Sequence, residues 1–487
     1  MAWSIKSSRA RIESANEELQ EITVKKFTKA SSLYGIPLTT AYRVQAAHVY
    51  VEIPNALDML SSTATEGAQS HRRLLRFLHI YQRIARVVLA QTSAIKVDHQ
   101  NQRLHFIMHN TDDRAAVLEA VAVASALRDV LLNANELHAE LEDATVTVGV
   151  DVGEALAVSN GTRGDREPLF LGGPANLAAK MTASKKSGVF LTDHAREQVS
   201  DEWAVADAQA TPLSQTQLDY CSSESGLNLN VDKLLERWQA DLSATPLAEF
   251  QFSRATPPLK YLDFDQLSPK NTKRMEMGTV IADVDGFTRF VAEHASDDDA
   301  PLLVRALHVI RKEMRDVLND FGGIKLRYVG DALFGHLAEG TSMTTDVEES
   351  VTTLVGCAGA LRDAFGVIQE VIPETSELGL QIGLEVGPVS LTRLGVKGAR
   401  DRCAIGLSVL NAETWQADCG GTETALGDEA RRNASPGVSE LFEDGPIVAD
   451  LTYNKVMAAV GASKPSARQN PPGSESSFLF PRAHTES

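Results

Sequence analysis

Two long blocks of the chain alternate strand-like and helix-like apolar patterns, and a weaker stretch separates them. His48-Val49-Tyr50-Val51-Glu52-Ile53 alternates with the period of a strand. Leu74 to Leu89 carries apolar residues at helical spacing, with Arg73, Arg76, Arg83 and Arg86 on the opposite face, the mark of an amphipathic helix with a solvated side. Between Asp201 and Lys273 the pattern fades, Thr256-Pro257-Pro258 and Ser268-Pro269 punctuate it, and one short helix at Val231 to Leu242 bridges it. The pattern predicts a helical N-terminal segment over 1–40, in which Ser14 to Glu21 forms a solvated helix. A first domain follows over 41–200, then a linker over 201–274 and a second domain over 275–460. The Ser-, Pro- and Gly-rich residues 461–487 form a flexible tail.

The second block repeats the first at a spacing near 230 residues. Ile95 to Gln102 aligns with Ile324 to Asp331, and Thr147-Val148-Gly149-Val150-Asp151-Val152-Gly153 with Gln381-Ile382-Gly383-Leu384-Glu385-Val386-Gly387. The strand holding Glu52 aligns with the one holding Asp283. One α+β domain is thus written twice. In the second copy, Val280 to Thr288 reads as a buried strand that delivers Asp283 and then turns into a helix. Ile324 to Phe334 supplies a second strand, a tight turn and Asp331. Two aspartates on neighbouring strand ends, beside a turn rich in backbone N–H groups, suit divalent cations and a triphosphate.

Composition narrows the alternatives. A net charge of −18 over 487 residues argues against nucleic-acid binding, which needs lysine and arginine to neutralise phosphates. No apolar run suggests a membrane span, and the polar start carries no secretory h-region. Four cysteines without CxxC spacing read as free thiols of a cytoplasmic protein.

Asp283-x-x-Gly286-Phe287-Thr288, then Gly330-Asp331, then Ile382-Gly383-x-x-x-Gly387 resembles the catalytic domain of the class III nucleotidyl cyclases, over roughly 175 residues in each half. The resemblance implies two ferredoxin-like, palm-type domains in tandem, forming a pseudo-symmetric head-to-tail pair with each site shared across the interface. It implies Mg²⁺ or Mn²⁺, two ions about 3.5–4 Å apart, on Asp283, Asp331 and the carbonyl of Val284. The backbone of Gly286, Phe287 and Thr288 would meet phosphate oxygens. The first copy has Glu52 and Gln102 at the aspartate positions. It has instead the family's transition-state spacing, Gly172 to Asn176 to Lys180, with lysine where arginine is usual; the second copy has Leu410 and Thr414 there, and Asn411 is one residue out of register. Asn176 would orient the ribose and Lys180 would meet charge building at the α-phosphate, each such donor being worth on the order of 3–4 kcal/mol. Each copy has lost what the other retains. Lys185, Lys186, Lys397 and Arg400 are candidates for the triphosphate tail, and solvated loop charges explain them equally.

The base pocket departs from the adenylyl and guanylyl patterns. By the same alignment, Asp98 and Leu169 occupy the base-selecting positions and Tyr50 faces the pocket. Tyr50 narrows the slot, Leu169 removes an adenine contact, and Asp98 with His99 would pair with uracil or cytosine. This resembles the Pycsar antiphage pyrimidine cyclases, which make cyclic UMP or cyclic CMP for a cyclic-nucleotide-binding effector. UTP is the favoured substrate and CTP the second. An adenylate cyclase with an unusual pocket and an inactive nucleotide-binding sensor are the competing readings. Neither a nucleic acid nor a membrane is an expected partner. Pairing of the halves within one chain or across a homodimer stays open to a linker of this length.

Overall fold

The computed structural model describes residues 3–28, 31–134, 144–159, 168–396 and 398–463. Helix α1 (Ile5–Glu18) precedes strands β1 (Thr23–Lys26) and β2 (Thr40–Glu52), then α2 (Ala68–Leu89), the hairpin β3 (Ile95–Gln100) and β4 (Arg103–His109), and α3 (Asp113–Ala134). Strands β5 (Thr147–Ser159) and β6 (Pro168–Leu171), helix α4 (Gly173–Met181) and β7 (Gly188–Leu191) complete the first half. Its sheet runs β3-β4-β2-β5-β6, with β1 beside β2 and β7 parallel to β5.

Helices α5 (Gln215–Glu224) and α6 (Val231–Ala244) occupy the weakly patterned stretch, and both pack onto the first half rather than spanning free between the two. Asn230 caps α6 by accepting from the Lys233 backbone N–H. Trp238 of α6 is fully buried in that core. Replacing it with alanine should cost about 3–5 kcal/mol, read as a lower urea midpoint; a midpoint unchanged from wild type would mean that α6 does not belong to the fold.

The second half repeats the plan. It comprises β8 (Thr272–Asp285), α7 (Phe287–Glu293), α8 (Ala300–Asp320), the hairpin β9 (Ile324–Val329) and β10 (Ala332–Leu337), and α9 (Val347–Val371). Strands β11 (Gly379–Val396) and β12 (Ala399–Ile405), helix α10 (Leu407–Ala417), β13 (Glu423–Leu426) and β14 (Ile447–Ala449) follow. The order β9-β10-β8-β11, with β12 antiparallel and β13 parallel to β11, matches β3-β4-β2-β5 with β6 and β7. The aligned glycines meet the same steric demand. A Cβ on Gly149 would lie 2.1 Å from the Ala178 carbonyl oxygen, and one on Gly383 would lie 2.1 Å from that of Ala412. Each glycine lets the helix that follows, α4 or α10, lie directly on its strand.

Two expectations need correction. The N-terminal helix is not solvated. It packs on α8 and α9 of the second half, with Ile12 fully buried and Arg11 donating to the buried Glu313 at 2.6 and 3.0 Å. Trp3, Ile12, Ala15 and Leu19 form a narrow apolar stripe, which a reading begun at Ser14 cuts in two. A span-like apolar segment also exists: α9, 25 residues long, is apolar enough to cross a bilayer by length and composition. Most of it is buried between sheet and helices, which makes it the core helix of this half.

Candidate active site

Strand β8 ends at the carboxylates. Gly286 follows with φ +80°, a left-handed conformation open to glycine, and turns the chain into α7. Phe287 anchors that helix in the core against Phe290, which turns its side chain away from a ligand, whereas Asp285 and Thr288 are exposed. In the two-residue turn between β9 and β10, Gly330 (φ +60°) brings Asp331 beside Asp283. The Val284 N–H donates to Asp331 Oδ2 at 3.1 Å. Arg311 of α8 stacks on Tyr328 at 4.5 Å and donates to the Gly330 carbonyl, bracing the turn from behind.

Burial, reinforced at Asp331 by the facing charge of Asp283, holds both carboxyls above the usual range. A hydrogen bond between the two carboxyls works against that rise at Asp283. Two carboxylates forced together this way are the donor set a divalent cation stabilises, with the remaining positions left for phosphate oxygens. The residues present therefore fit Mg²⁺ or Mn²⁺. Among the described residues no third His, Cys, Asp or Glu joins them.

The aligned position in the first half is occupied otherwise. Glu52 Oε2 accepts from Arg103 at 2.9 Å and from the Thr182 hydroxyl at 2.9 Å, so one of the protein's own cations sits on this carboxylate, and its charge also acts on the nearby Glu413. Gln102 and Leu410 line a small cavity there, about 70 Å³. Asn411 of α10 is exposed.

Next to Asp331 lies a larger cavity, about 200 Å³, walled by both halves of the one chain. Gly330 and Tyr328 come from the second half; Tyr50, Asp98, Leu169 and Asn176 come from the first. Asn176 projects from α4, whose start at Gly172 is extended on the positive-φ side (φ +140°). Lys180 follows one turn later on the same face, exposed, outside the cavity lining itself.

Three wall residues escaped sequence reading. His105 stacks on Tyr50 with ring centroids 4.2 Å apart and planes 12° apart, and Phe170 packs edge-on against His48 behind it. His48 Nδ1 and His105 Nε2 are 3.1 Å apart. Burial pushes His48 down to about 3 and His105 well below its ordinary value, so both rings are neutral near pH 7. Burial also raises the Tyr50 phenol, which stays protonated. The third residue, Arg103, reaches from Glu52 into the cavity wall. It stands at no family position, and its register directly opposite Glu52 on the neighbouring strand is the signal that could have found it.

Asp98 is partly committed already. Arg327 of the second half lies 3.5 Å from its Oδ1, and Gln100 donates to Oδ2. Burial raises its pKa against the pull of Arg327.

Two predicted contacts fail. His99 does not face the base: adjacent strand residues point to opposite sides of a sheet, and its ring packs edge-on against Tyr81 at 4.7 Å, 2 % exposed. Arg400 pairs with Gly395 along the β11–β12 hairpin and exerts its charge on His79, away from the lining of the cavity beside Asp331. Lys185 and Lys186 are exposed, and Lys397 lies outside the described residues, as do residues 464–487 of the predicted tail.

No protein-family profile matches the chain. A uridylate cyclase from Pseudomonas aeruginosa is 41 % identical over 477 residues, covering 94 % of this chain and 91 % of that protein. A second uridylate cyclase, from a Rhizobium species, is 34 % identical over 441 residues, covering 85 % and 83 %. Among solved structures, a class III adenylyl cyclase-like ATP-binding protein from Pseudomonas aeruginosa superposes with a TM-score of 0.89 at 39 % identity, covering 94 % of this chain and 99 % of that one.

Proposed function

The chain belongs to the uridylate cyclase family, and from that premise we propose that it converts UTP to 3′,5′-cyclic UMP and pyrophosphate in the cavity between its two halves. We read residues 41–200 as the half that handles base and ribose, residues 275–460 as the half that supplies carboxylates, and the two as a pseudo-symmetric head-to-tail pair within one chain. The observation that carries the reading is the asymmetry of compensation. Asp283 and Asp331 confront each other with like charge, whereas Glu52 is neutralised by Arg103.

Bound at Asp283, Asp331 and the Val284 carbonyl, Mg²⁺ or Mn²⁺ would acidify the ribose 3′-hydroxyl and offset triphosphate charge. The chain's own groups do the rest. Asn176 orients the ribose from α4 and holds the 3′-oxygen in line with the α-phosphorus. Lys180 brings a cation to the cavity mouth, where charge gathers on the α-phosphate. Backbone N–H groups at Gly286 to Thr288 hold phosphate oxygens. Asp98 accepts from uracil N3–H, Arg103 donates to a uracil carbonyl, and the Tyr50–His105 stack closes the wall against a purine. Incubation with each of the four nucleoside triphosphates and Mn²⁺ should yield cyclic UMP above all. ATP is the competitor to watch, since the similar solved structure is described as ATP-binding; cyclic AMP as the dominant product would end the pyrimidine reading. A cyclic pyrimidine nucleotide made this way would act as a second messenger, and the resemblance to the Pycsar cyclases supports a role in antiphage defence.

Base selection gives its own prediction. Tyr50→Ala widens the slot, and the UTP-to-ATP ratio of kcat/KM should fall by roughly 10–200-fold, the range a reshaped apolar pocket commands. His105→Ala should move the ratio the same way by less, because Tyr50 remains but loses its support. A ratio that neither change alters would place the base elsewhere.

A further inference from the structure

A cavity of about 320 Å³ lies on the other side of strand β3 from the catalytic cavity, between α2 and the β11–β12 hairpin, and no step proposed above uses it. Its size falls at the lower end of small-molecule sites, which are mostly apolar with a few polar groups that fix orientation. Leu89 supplies apolar wall. Gln82 is 5 % exposed, and neither its amide nitrogen nor its amide oxygen has a hydrogen-bond partner among the described residues. His99 Nε2 is unpartnered among them as well, and burial beside Lys96 and Arg327 keeps that ring neutral. Buried polar atoms of native proteins are nearly all satisfied; here three of them line one cavity.

The charges at its rim add a second requirement. Arg86 and Lys96 each hold one carboxylate, Asp241 and Asp401. Asp241 is shared with Arg83, which also lines the cavity. A neutral amide would offer nothing of opposite charge to Arg86 and Lys96 at the rim. Inorganic phosphate would leave Gln82 unmet. A side-chain amide presents a donor beside an acceptor, the complement of a nucleobase edge. We propose that this cavity is a second ligand site that takes a mononucleotide, with its base edge on Gln82, a further base or ribose group on His99 Nε2, and its phosphate toward Arg86 and Lys96.

The site is wired to the catalytic cavity through β3. Asp98 and His99 are neighbours on that strand and face the two cavities in turn, and Arg327 touches both, at 3.5 Å from Asp98 Oδ1 and 3.3 Å from the His99 carbonyl.

Calorimetric titration of the full chain without divalent metal, using UMP, AMP and inorganic phosphate as separate probes, tests the proposal. Saturable binding of UMP or AMP, but not of phosphate, is expected, weakened about tenfold or more by Gln82→Leu and by Arg86→Ala. The second variant lies at the solvent-facing rim, so its melting temperature should match wild type even if Gln82→Leu folds poorly. No saturable nucleotide binding, or binding that both variants leave intact (the result that occupancy of the catalytic cavity would give), overturns the proposal. UTP cyclisation by Arg86→Ala without added mononucleotide should equal wild type. A chain that binds UMP through Gln82 yet cyclises nothing supports this site and refutes the catalytic reading.

Discussion

Asp331→Ala should abolish cyclic nucleotide formation while leaving the protein at least as stable as wild type. The two effects have opposite signs for one reason. In the folded chain Asp331 is partly buried, faces Asp283, and has its carboxyl raised well above the normal range by burial and by that neighbour's charge. Folding against two facing carboxyls is unfavourable without a cation, so deleting one relieves the strain. Catalysis needs the pair, because stabilising charge on a transferring phosphoryl group is worth several kcal/mol, roughly a thousandfold or more in rate. Activity would be followed as cyclic UMP formed from UTP with Mn²⁺, and stability as the melting temperature without metal. Activity within about tenfold of wild type would remove Asp331 from the machinery. Loss of activity with a melting temperature several degrees lower would recast the residue as structural.

The carboxylates were legible in the sequence because their signal is local: a strand, a turn glycine and an aspartate at fixed spacing, written twice so that the copies could be compared. The repeat also located Gly149 and Gly383, whose shared role is a steric one that any helix crossing the strand would impose. What stayed hidden was whatever depends on the facing half or the neighbouring strand. Arg103 is unremarkable on β4 until Glu52 is seen to need a cation. Asp98 reads as a free acceptor until Arg327 arrives from the other half at 3.5 Å. His105 becomes part of the cavity wall through its stack on Tyr50, across the register that pairs β2 with β4. His99 failed for a simpler reason: two adjacent strand residues were assigned to one ligand, and strand geometry forbids it. The docking of α1 on the second half is likewise carried by Trp3 and Ile12, apolar positions upstream of Ser14.

Lys180→Ala should lower kcat roughly a hundredfold to a thousandfold with little change in KM, the signature of a donor that acts on the transition state more than on bound substrate. The argument rests on position. Asn176 lines the cavity beside Gly330, and Lys180 stands one turn further along the same helix face, exposed and outside the lining. Its long stem can therefore reach a phosphate that enters from solvent, and among the described residues its ammonium makes no ion pair. Lys180→Arg should keep most of the activity, since the charge survives and the guanidinium adds a second donor. The pseudo-equivalent residue supplies the control. Thr414 occupies the matching turn of α10, but the cavity there is about 70 Å³ and the carboxylate across from it is already held by Arg103. Thr414→Ala should accordingly be silent. Equal losses from Lys180→Ala and Thr414→Ala would mean that the two halves do not divide the work, and the single-site reading would fall with that result. A fall in the Lys180→Ala melting temperature matching its loss of activity would do the same, because an exposed lysine at a helix end contributes little to the fold.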